Sequence, residues 1–347
     1  MTRKAVKRGG LTSGVPERGA GSARVEENTD KMHGGRARGR VAKQAAAQKA
    51  LAPNSRKDGV PEESGHAETE KLLPAAKRAR VEENAAGQSS SPSRASEPNA
   101  TQLQPDVQER CKVLLEVAQD LVKQLQPLKF KAPVTHVYNP LEYAMKSYMQ
   151  YVTRYGGRSG IVLLVGLNPG PWGMAQTGVP FGDTSMVKDF LGIMAPVEQP
   201  PKVHPKRLVY GFSCPYKEVS GQRIWGWARD RYKDPEAFFN KFYVMNYCPL
   251  AFMEGPNGKL RTPDKLPAAE RDAVVRICDE ALTKTIEVLK PKLVIGIGQY
   301  TSERVRRCAG DIKTGTVMHP SPANPATNAG WAGIAEKQLQ DMGVDLS

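Results

Sequence analysis

Across 347 residues the chain carries 50 Lys and Arg against 36 Asp and Glu, a formal net charge of +14, a balance that favours a polyanionic partner. Residues 1–100 hold no Phe, Tyr, Trp or Cys, which excludes a packed core there. No apolar run approaches the roughly 20 residues that span a bilayer and no secretory-type apolar stretch opens the chain, so the expectation is a soluble intracellular protein with no membrane partner.

Residues 1–101 read as a disordered basic tail, with runs such as Gly34-Gly35-Arg36-Ala37-Arg38-Gly39-Arg40 and Ser89-Ser90-Ser91-Pro92-Ser93 that suit a solvated coil. Within it Pro74-Ala75-Ala76-Lys77-Arg78-Ala79-Arg80 is a compact basic cluster of the nuclear-import type. The Lys77–Arg80 region is therefore expected to engage an import receptor and place the protein in the nucleus. The competing reading is a patch that keeps the tail soluble. The Arg-Gly run at 36–40 is a weaker candidate for contact with nucleic acid backbone.

Residues 102–347 read as one folded domain, where aromatics, regular apolar periodicity and all five cysteines occur. The cysteines, Cys111, Cys214, Cys248, Cys278 and Cys308, form no C-x-x-C pair and are expected as buried thiols rather than metal ligands. In chain order, 105–126 predicts a helix with Val107, Cys111, Leu114, Leu115, Ala118, Leu121 and Val122 on one face. A buried strand follows at 161–166, then a Gly- and Pro-rich loop from Asn168 to Gly182, and a helix starting near Asp183 whose Met186, Val187, Phe190 and Leu191 turn inward. A helix at 221–231 carries Trp225 and Trp227, a strand at 242–245 runs into Asn246, and a helix at 269–289 precedes a strand at 292–298. A last strand, 315–318, delivers His319. Apolar strands separated by helices predict an α/β fold, with a mostly parallel sheet covered on both faces. In such sheets ligands bind beyond the carboxyl ends of the strands, so Asn168, Asn246 and His319 are expected to converge.

Each of these residues admits a functional and a structural reading. Asn168 either orients a water or polar ligand edge through its amide, or closes a turn before Pro169. Gly166 and Gly170 suit an anion nest, but the loop lacks the Lys-Ser/Thr of a P-loop and the spacing of a dinucleotide fingerprint, which excludes ATPase and NAD chemistry of those kinds. Phe181 is either a core staple or a flat face for a base. Asn246 offers one donor and one acceptor, the complement of the N3–H and O4 edge of uracil, and a fixed amide leaves cytosine mismatched. His319, as a neutral imidazole donor, can stabilise charge on a leaving base, or it is a turn histidine held among prolines.

These residues lie in four ordered motifs: Gly166-Leu167-Asn168-Pro169-Gly170-Pro171-Trp172-Gly173-Met174 through Val179-Pro180-Phe181-Gly182; Cys214-Pro215 with Glu218-Val219-Ser220-Gly221; Asn246-Tyr247-Cys248-Pro249-Leu250; and His319-Pro320-Ser321-Pro322 with Asn328-Ala329-Gly330-Trp331. From about residue 105 to 345 the chain resembles the single-strand-selective monofunctional uracil-DNA glycosylases, the SMUG group of the uracil-DNA glycosylase superfamily. The resemblance implies a three-layer α/β/α sandwich that flips uracil, 5-hydroxymethyluracil and related C5-modified uracils out of single- or double-stranded DNA. It implies hydrolysis of the N-glycosidic bond, the first step of base excision repair, by a monomer. Carried over, Asn168 looks like the water-positioning residue, His319 the support for the leaving base, Asn246 the base-edge reader and Phe181 the stacking platform, with Gly170 and Met174 lining the pocket at uracil C5. No metal or other cofactor is expected, and no lysine in the motifs suggests a Schiff base or lyase route.

By the same resemblance Pro320, Ser321, Pro322, Ala323 and Asn324 form the segment that wedges into DNA. Here the chain departs from the family pattern, which usually has Arg where this sequence has Ala323. Alanine neither fills a base-sized gap nor reaches a phosphate; Lys206, Arg207 and Arg261 are the candidates for the missing contact, and the basic tail adds phosphate contacts. The rival reading is a catalytically weak nucleic-acid-binding protein that reads flipped or unpaired bases.

Overall fold

The computed structural model describes residues 104–347; the tail at 1–101 and its Lys77–Arg80 cluster lie outside the described residues. Helix α1 (Pro105–Leu125) starts with Pro at its first turn, beside Asp106, and has Lys123 in its last turn, the arrangement that free N–H groups and the helix dipole favour. Its buried stripe is Cys111, Leu114, Ala118, Leu121 and Leu125, while Val107, Leu115 and Val122 of the expected face are half-buried. Strand β1 (Val134–Tyr138), the short helix α2 (Pro140–Tyr143) and α3 (Met145–Tyr155) lead to β2 (Val162–Gly166), which is buried at every position. After the loop come α4 (Met174–Thr177), α5 (Val219–Tyr232) and α6 (Pro235–Phe239), then β3 (Phe242–Asn246) and a hairpin of β4 (Ala251–Glu254) and β5 (Lys259–Arg261). The chain closes with α7 (Ala268–Leu289), β6 (Leu293–Ile297), α8 (Gln299–Cys308), β7 (Thr314–Val317) and α9 (Trp331–Asp341).

Four strands form a parallel sheet in the order β3-β2-β6-β7. Alternation along β3 divides its side chains between two faces. Phe242 packs against Phe238 and Trp227 at ring centroid distances of 5.2 and 5.6 Å, and Tyr243, next in the strand, stacks on Tyr151 at 5.4 Å. Helix α1 packs on α3 and α7, while α5 packs on α6 and α9. The α/β sandwich with a parallel central sheet is thus the observed architecture. The sequence reading did not contain the second, antiparallel sheet, ordered β1-β4-β5.

One predicted element changes character. The helix expected from Asp183 is a π-helical turn at Met186–Phe190, in which the Leu191 N–H reaches back to the Met186 carbonyl at 3.0 Å. Gly192, at φ 61°, ends it at once. Its inward residues are Val187 and Leu191, with Met186 and Phe190 half-buried. Asp183, 1% exposed, anchors the turn by accepting from the Ser185 hydroxyl at 2.6 Å and the Met186 N–H at 3.3 Å. Of the five cysteines, four are buried free thiols and Cys214 is half-buried. Among the described residues no helix is long and apolar enough to cross a membrane.

The carboxyl end of β3 is tied to the helical layer through Tyr247. Its hydroxyl donates to Asp279 Oδ1 at 2.8 Å, and Arg304 binds the same carboxylate through Nε at 3.1 Å and through its terminal nitrogen. The Arg304 side chain is only 11% exposed, so removing its partner leaves a poorly solvated charge. Asp279→Ala is expected to lower unfolding stability by about 4 kcal/mol, whereas Tyr247→Phe, which deletes one hydrogen bond to the carboxylate and leaves its pairing with Arg304 intact, costs about 1.5 kcal/mol; urea unfolding of the two variants checks the difference.

Candidate active site

Strands β2, β3 and β7 end on the same side of the parallel sheet, and the residues just beyond them line one cavity of about 900 Å³, counted out to its open mouth. Its walls include Asn168, Gly170, Met174, Phe181, Asn246, His319, Ser321 and Pro322. The expected convergence of Asn168, Asn246 and His319 therefore occurs, although they lie far apart in the chain.

Gly166 is where these parts meet. In the β2–β3 register it stands opposite Asn246, and a Cβ placed on it would lie 2.5 Å from both Asn246 Oδ1 and the Phe181 ring. Only a residue without a side chain lets that amide and that ring close over the strand end. The pairing continues beyond the strands, with the Tyr247 N–H on the Gly166 carbonyl at 2.8 Å and the Cys248 N–H on the Leu167 carbonyl at 2.9 Å. Asn246 Nδ2 also lies 3.2 Å from Met174 Sδ, a weak acceptor that biases the amide orientation.

Phe181 has a left-handed backbone, φ 52°, which for a bulky residue carries strain of about 1–3 kcal/mol. The flanking chain is held from several sides. The Pro180 carbonyl accepts from Trp225 Nε1 at 3.2 Å, the Gly182 carbonyl from the Thr177 hydroxyl at 3.0 Å, and the Phe181 carbonyl from the Asp183 N–H at 2.8 Å. The ring is buried against the core and also faces the cavity, 6.2 Å from the His319 ring between centroids. The two readings of Phe181 are thus compatible.

Asn168 donates from Nδ2 to the Leu250 carbonyl at 3.1 Å. A carbonyl only accepts, so this bond fixes which end of the amide is which and leaves Oδ1 as its acceptor at the cavity. The bond reaches across to the segment after β3 instead of closing a local turn. His319 is fixed by the same logic, because the Ser321 N–H donates to its Nδ1 at 3.1 Å. The ring proton must then reside on Nε2. Burial lowers the His319 pKa below 6.5, so the ring is a neutral donor at neutral pH.

The cavity also contains residues to which sequence reasoning gave no role. Glu218 caps α5, accepting the Ser220 N–H at 3.4 Å, and its own N–H is held by Asp183 Oδ2 at 2.9 Å. Its carboxyl packs against Gly170 and Gly173, where added side chains would collide with it. Burial, the largest influence, raises the Glu218 pKa above the usual glutamate value, and the Ser220 N–H partly opposes this. The signal was the motif Glu218-Val219-Ser220-Gly221, recognised as a pattern without a chemical assignment. Leu260 and Thr262 reach the cavity from the β5 hairpin, which local periodicity did not reveal.

The segment from Pro320 to Asn324 lies at the cavity edge in a hydrogen-bonded loop. Pro320 is buried and its carbonyl accepts from Arg223 at 2.8 Å. The Asn324 side chain caps the next turn by accepting the Ala326 N–H at 3.1 Å. Ser321 and Pro322 line the cavity, and Pro322 and Ala323 are exposed. Of the three basic candidates, Arg261 pairs with Glu254, Lys206 donates to Asn257, and Arg207 donates to the Gly258 carbonyl. Among the described residues no three His, Cys, Asp or Glu side chains form a cluster able to hold a metal.

Residues 154–339 match the family described as the Uracil DNA glycosylase superfamily. A single-strand selective monofunctional uracil-DNA glycosylase of Rattus norvegicus is 42% identical over 264 residues, covering 75% of this chain and 95% of that protein. The chain belongs to the uracil-DNA glycosylase superfamily. Within it the likeness is to the single-strand-selective group, since proteins of the same description from Bos taurus and Mus musculus are each 44% identical. They align over 64% and 66% of this chain and 82% and 84% of their own lengths, respectively. The crystal structure of wild-type Pedobacter heparinus SMUG2 superposes with a TM-score of 0.46 at 18% identity, over 65% of this chain and 97% of that one.

The matched span contains every cavity residue named above. Because the fold holds His319 neutral, the unfolded chain takes up a proton that the native protein resists as pH falls below 6.5. Stability is therefore expected to rise with pH from the depressed native pKa up to about 6.5 and then to lose this dependence. Urea unfolding against pH checks it: His319→Gln should lack this part of the slope, and an NMR titration should find the His319 ring changing charge below pH 6.5.

Proposed function

We propose that this protein is a monofunctional DNA glycosylase that removes uracil, and C5-modified uracils such as 5-hydroxymethyluracil, from DNA and so starts base excision repair. The observation that carries this reading is the single cavity beyond β2, β3 and β7 that gathers Asn168, Phe181, Asn246 and His319. It stands on membership of the superfamily and on the activity named for the mammalian relatives.

A base cannot be reached inside a duplex, so the target nucleotide is extruded into the cavity. Phe181 receives its face and Asn246 its edge, the amide oxygen accepting from uracil N3–H and the amide nitrogen donating to O4. Cytosine, with an acceptor and an amino group there, leaves both partners unmatched. Gly170 and Met174 border the space at C5. As the bond between C1′ and N1 breaks, its electron pair passes to the base and charge develops on its oxygen. The neutral His319 Nε2–H meets that charge without the cost of rearranging solvent. Water held by Asn168 Oδ1 adds to C1′, and the proton it releases passes through solvent to the departing base anion, giving neutral uracil and an abasic sugar. No enzyme lysine becomes covalently attached, so strand cleavage does not follow.

Pro322 and Ala323, with Pro320, Ser321 and Asn324 behind them, form the contact to DNA, which is single- or double-stranded. With alanine at 323 the wedge is small and the duplex is opened less forcefully. The protein acts as a monomer in the nucleus, carried there through Lys77–Arg80, and the basic tail adds salt-sensitive affinity.

Incubation with labelled oligonucleotides bearing one uracil, followed by hot alkali, tests the chemistry. The native chain should produce alkali-labile sites, and Asn168→Ala and His319→Ala should each lower the single-turnover rate by about 10²-fold or more. Binding without excision would instead support a base-reading protein. A fluorescent fusion in which Lys77, Arg78 and Arg80 are replaced by Ala should lose nuclear enrichment; unchanged enrichment refutes the import assignment.

A further inference from the structure

Six large apolar side chains are exposed among the described residues, and four of them, Leu208, Tyr210, Tyr216 and Val219, come from the single stretch 208–219. Tyr216 is 47% and Tyr210 is 39% exposed. They do not stand alone. The Tyr216 ring lies 4.2 Å from the Trp172 ring between centroids, tilted by 35°, and the Tyr210 ring lies 6.2 Å from Tyr216. The Arg207 guanidinium carbon is over the Trp172 ring, 5.3 Å from its centroid, within reach for a cation–π contact. Lys217 is exposed within this stretch and Lys206 is exposed just before it.

This cluster adjoins the cavity through both of its chain segments. Trp172 follows Pro171, and Tyr216 precedes Glu218 by two residues; Pro171 and Glu218 both line the cavity. One buried amide fixes the two segments together. Gln176, 1% exposed, donates from Nε2 to the Pro171 carbonyl at 2.8 Å and the Leu208 carbonyl at 3.0 Å, and its Oε1 accepts the Tyr210 N–H at 2.7 Å. The backbone next to Trp172 and at Tyr210 is therefore set before any ligand arrives, and Tyr216 packs on Trp172, which reduces the ordering cost of binding.

We propose that Trp172, Tyr210 and Tyr216, with Arg207 beside them, form a platform on which an unpaired base neighbouring the target nucleotide stacks. This deepens the glycosylase reading and rests on it. Exposed rings backed by other rings offer a flat apolar face to any base, and the adjacent cations suit the phosphates that accompany it. A protein surface of this size and composition would also attract a partner, but the positive charge and the shared rim with the cavity favour a nucleic acid strand. In a duplex the neighbouring base is already stacked and paired. In a single strand it is free to move onto Tyr216, so the platform favours single-stranded substrate.

The test measures coupling between ring and base. Full-length wild type, Tyr216→Ala and Tyr216→Phe are titrated by fluorescence anisotropy with single-stranded oligonucleotides carrying one uracil, in which the nucleotide on either side retains its base or is replaced by an abasic spacer. Deleting the base on one side should weaken wild-type binding about tenfold. Tyr216→Ala should weaken binding to the intact strand similarly and become indifferent to the spacer, while Tyr216→Phe should behave as wild type. Equal binding by wild type and Tyr216→Ala, or undiminished spacer sensitivity in that variant, overturns the proposal; the second outcome leaves the rim for a protein partner. Excision by wild type is followed in parallel. Failure to release uracil would refute the glycosylase reading, whereas the coupling is judged from binding alone.

Discussion

The missing side chain at Gly166 is the constraint on which the cavity depends. Parallel pairing sets Gly166 opposite Asn246, and the Asn246 amide and Phe181 ring occupy the space that any larger residue would need. Interiors are packed too tightly for a methyl group to be absorbed there without moving one of them. The left-handed backbone of Phe181 is part of the same arrangement, held by Trp225, Thr177 and Asp183.

The polar groups are oriented mainly through backbone partners. A carbonyl, which only accepts, sets Asn168, and an N–H, which only donates, sets His319. These assignments follow from bonding capacity and geometry together. Asn246 has the softer partner, Met174 Sδ, so its orientation depends more on the close packing around Gly166. Burial favours the uncharged forms of both His319 and Glu218. At the cavity His319 is thus a neutral donor, beside the amides of Asn168 and Asn246.

Around that interior the rim is aromatic and basic. Gln176 joins the loop bearing Asn168 to the stretch bearing Tyr210, so interior and rim share one support. The loop from Pro320 to Asn324 is likewise supported by Arg223 and Thr327. Ala323 adds little bulk at that edge, while Tyr216 adds a broad exposed ring at another.

The sequence by itself determined the apolar strand β2, the amphipathic α1 and α7, and the Asn- and His-bearing turns at strand ends. These are written in short windows by periodicity, by Gly and Pro, and by charge at helix ends. Its motifs also carried the family relationship. Tertiary structure alone decided that Asn168, Asn246 and His319 share one cavity, because parallel strands distant in sequence become neighbours only through long-range pairing. It also decided the roles of residues with no local signature. Glu218 had no assigned role until the structure set it at the start of α5, with its carboxyl against Gly170 and Gly173 at the cavity, and Thr262 follows a hairpin that periodicity missed. The His319 tautomer depends on the direction of the Ser321 N–H, and the five-residue π turn replaces a predicted helix because Asp183 and Gly192 bound it. Local sequence limits what each segment can form; packing between distant segments selects which atoms meet.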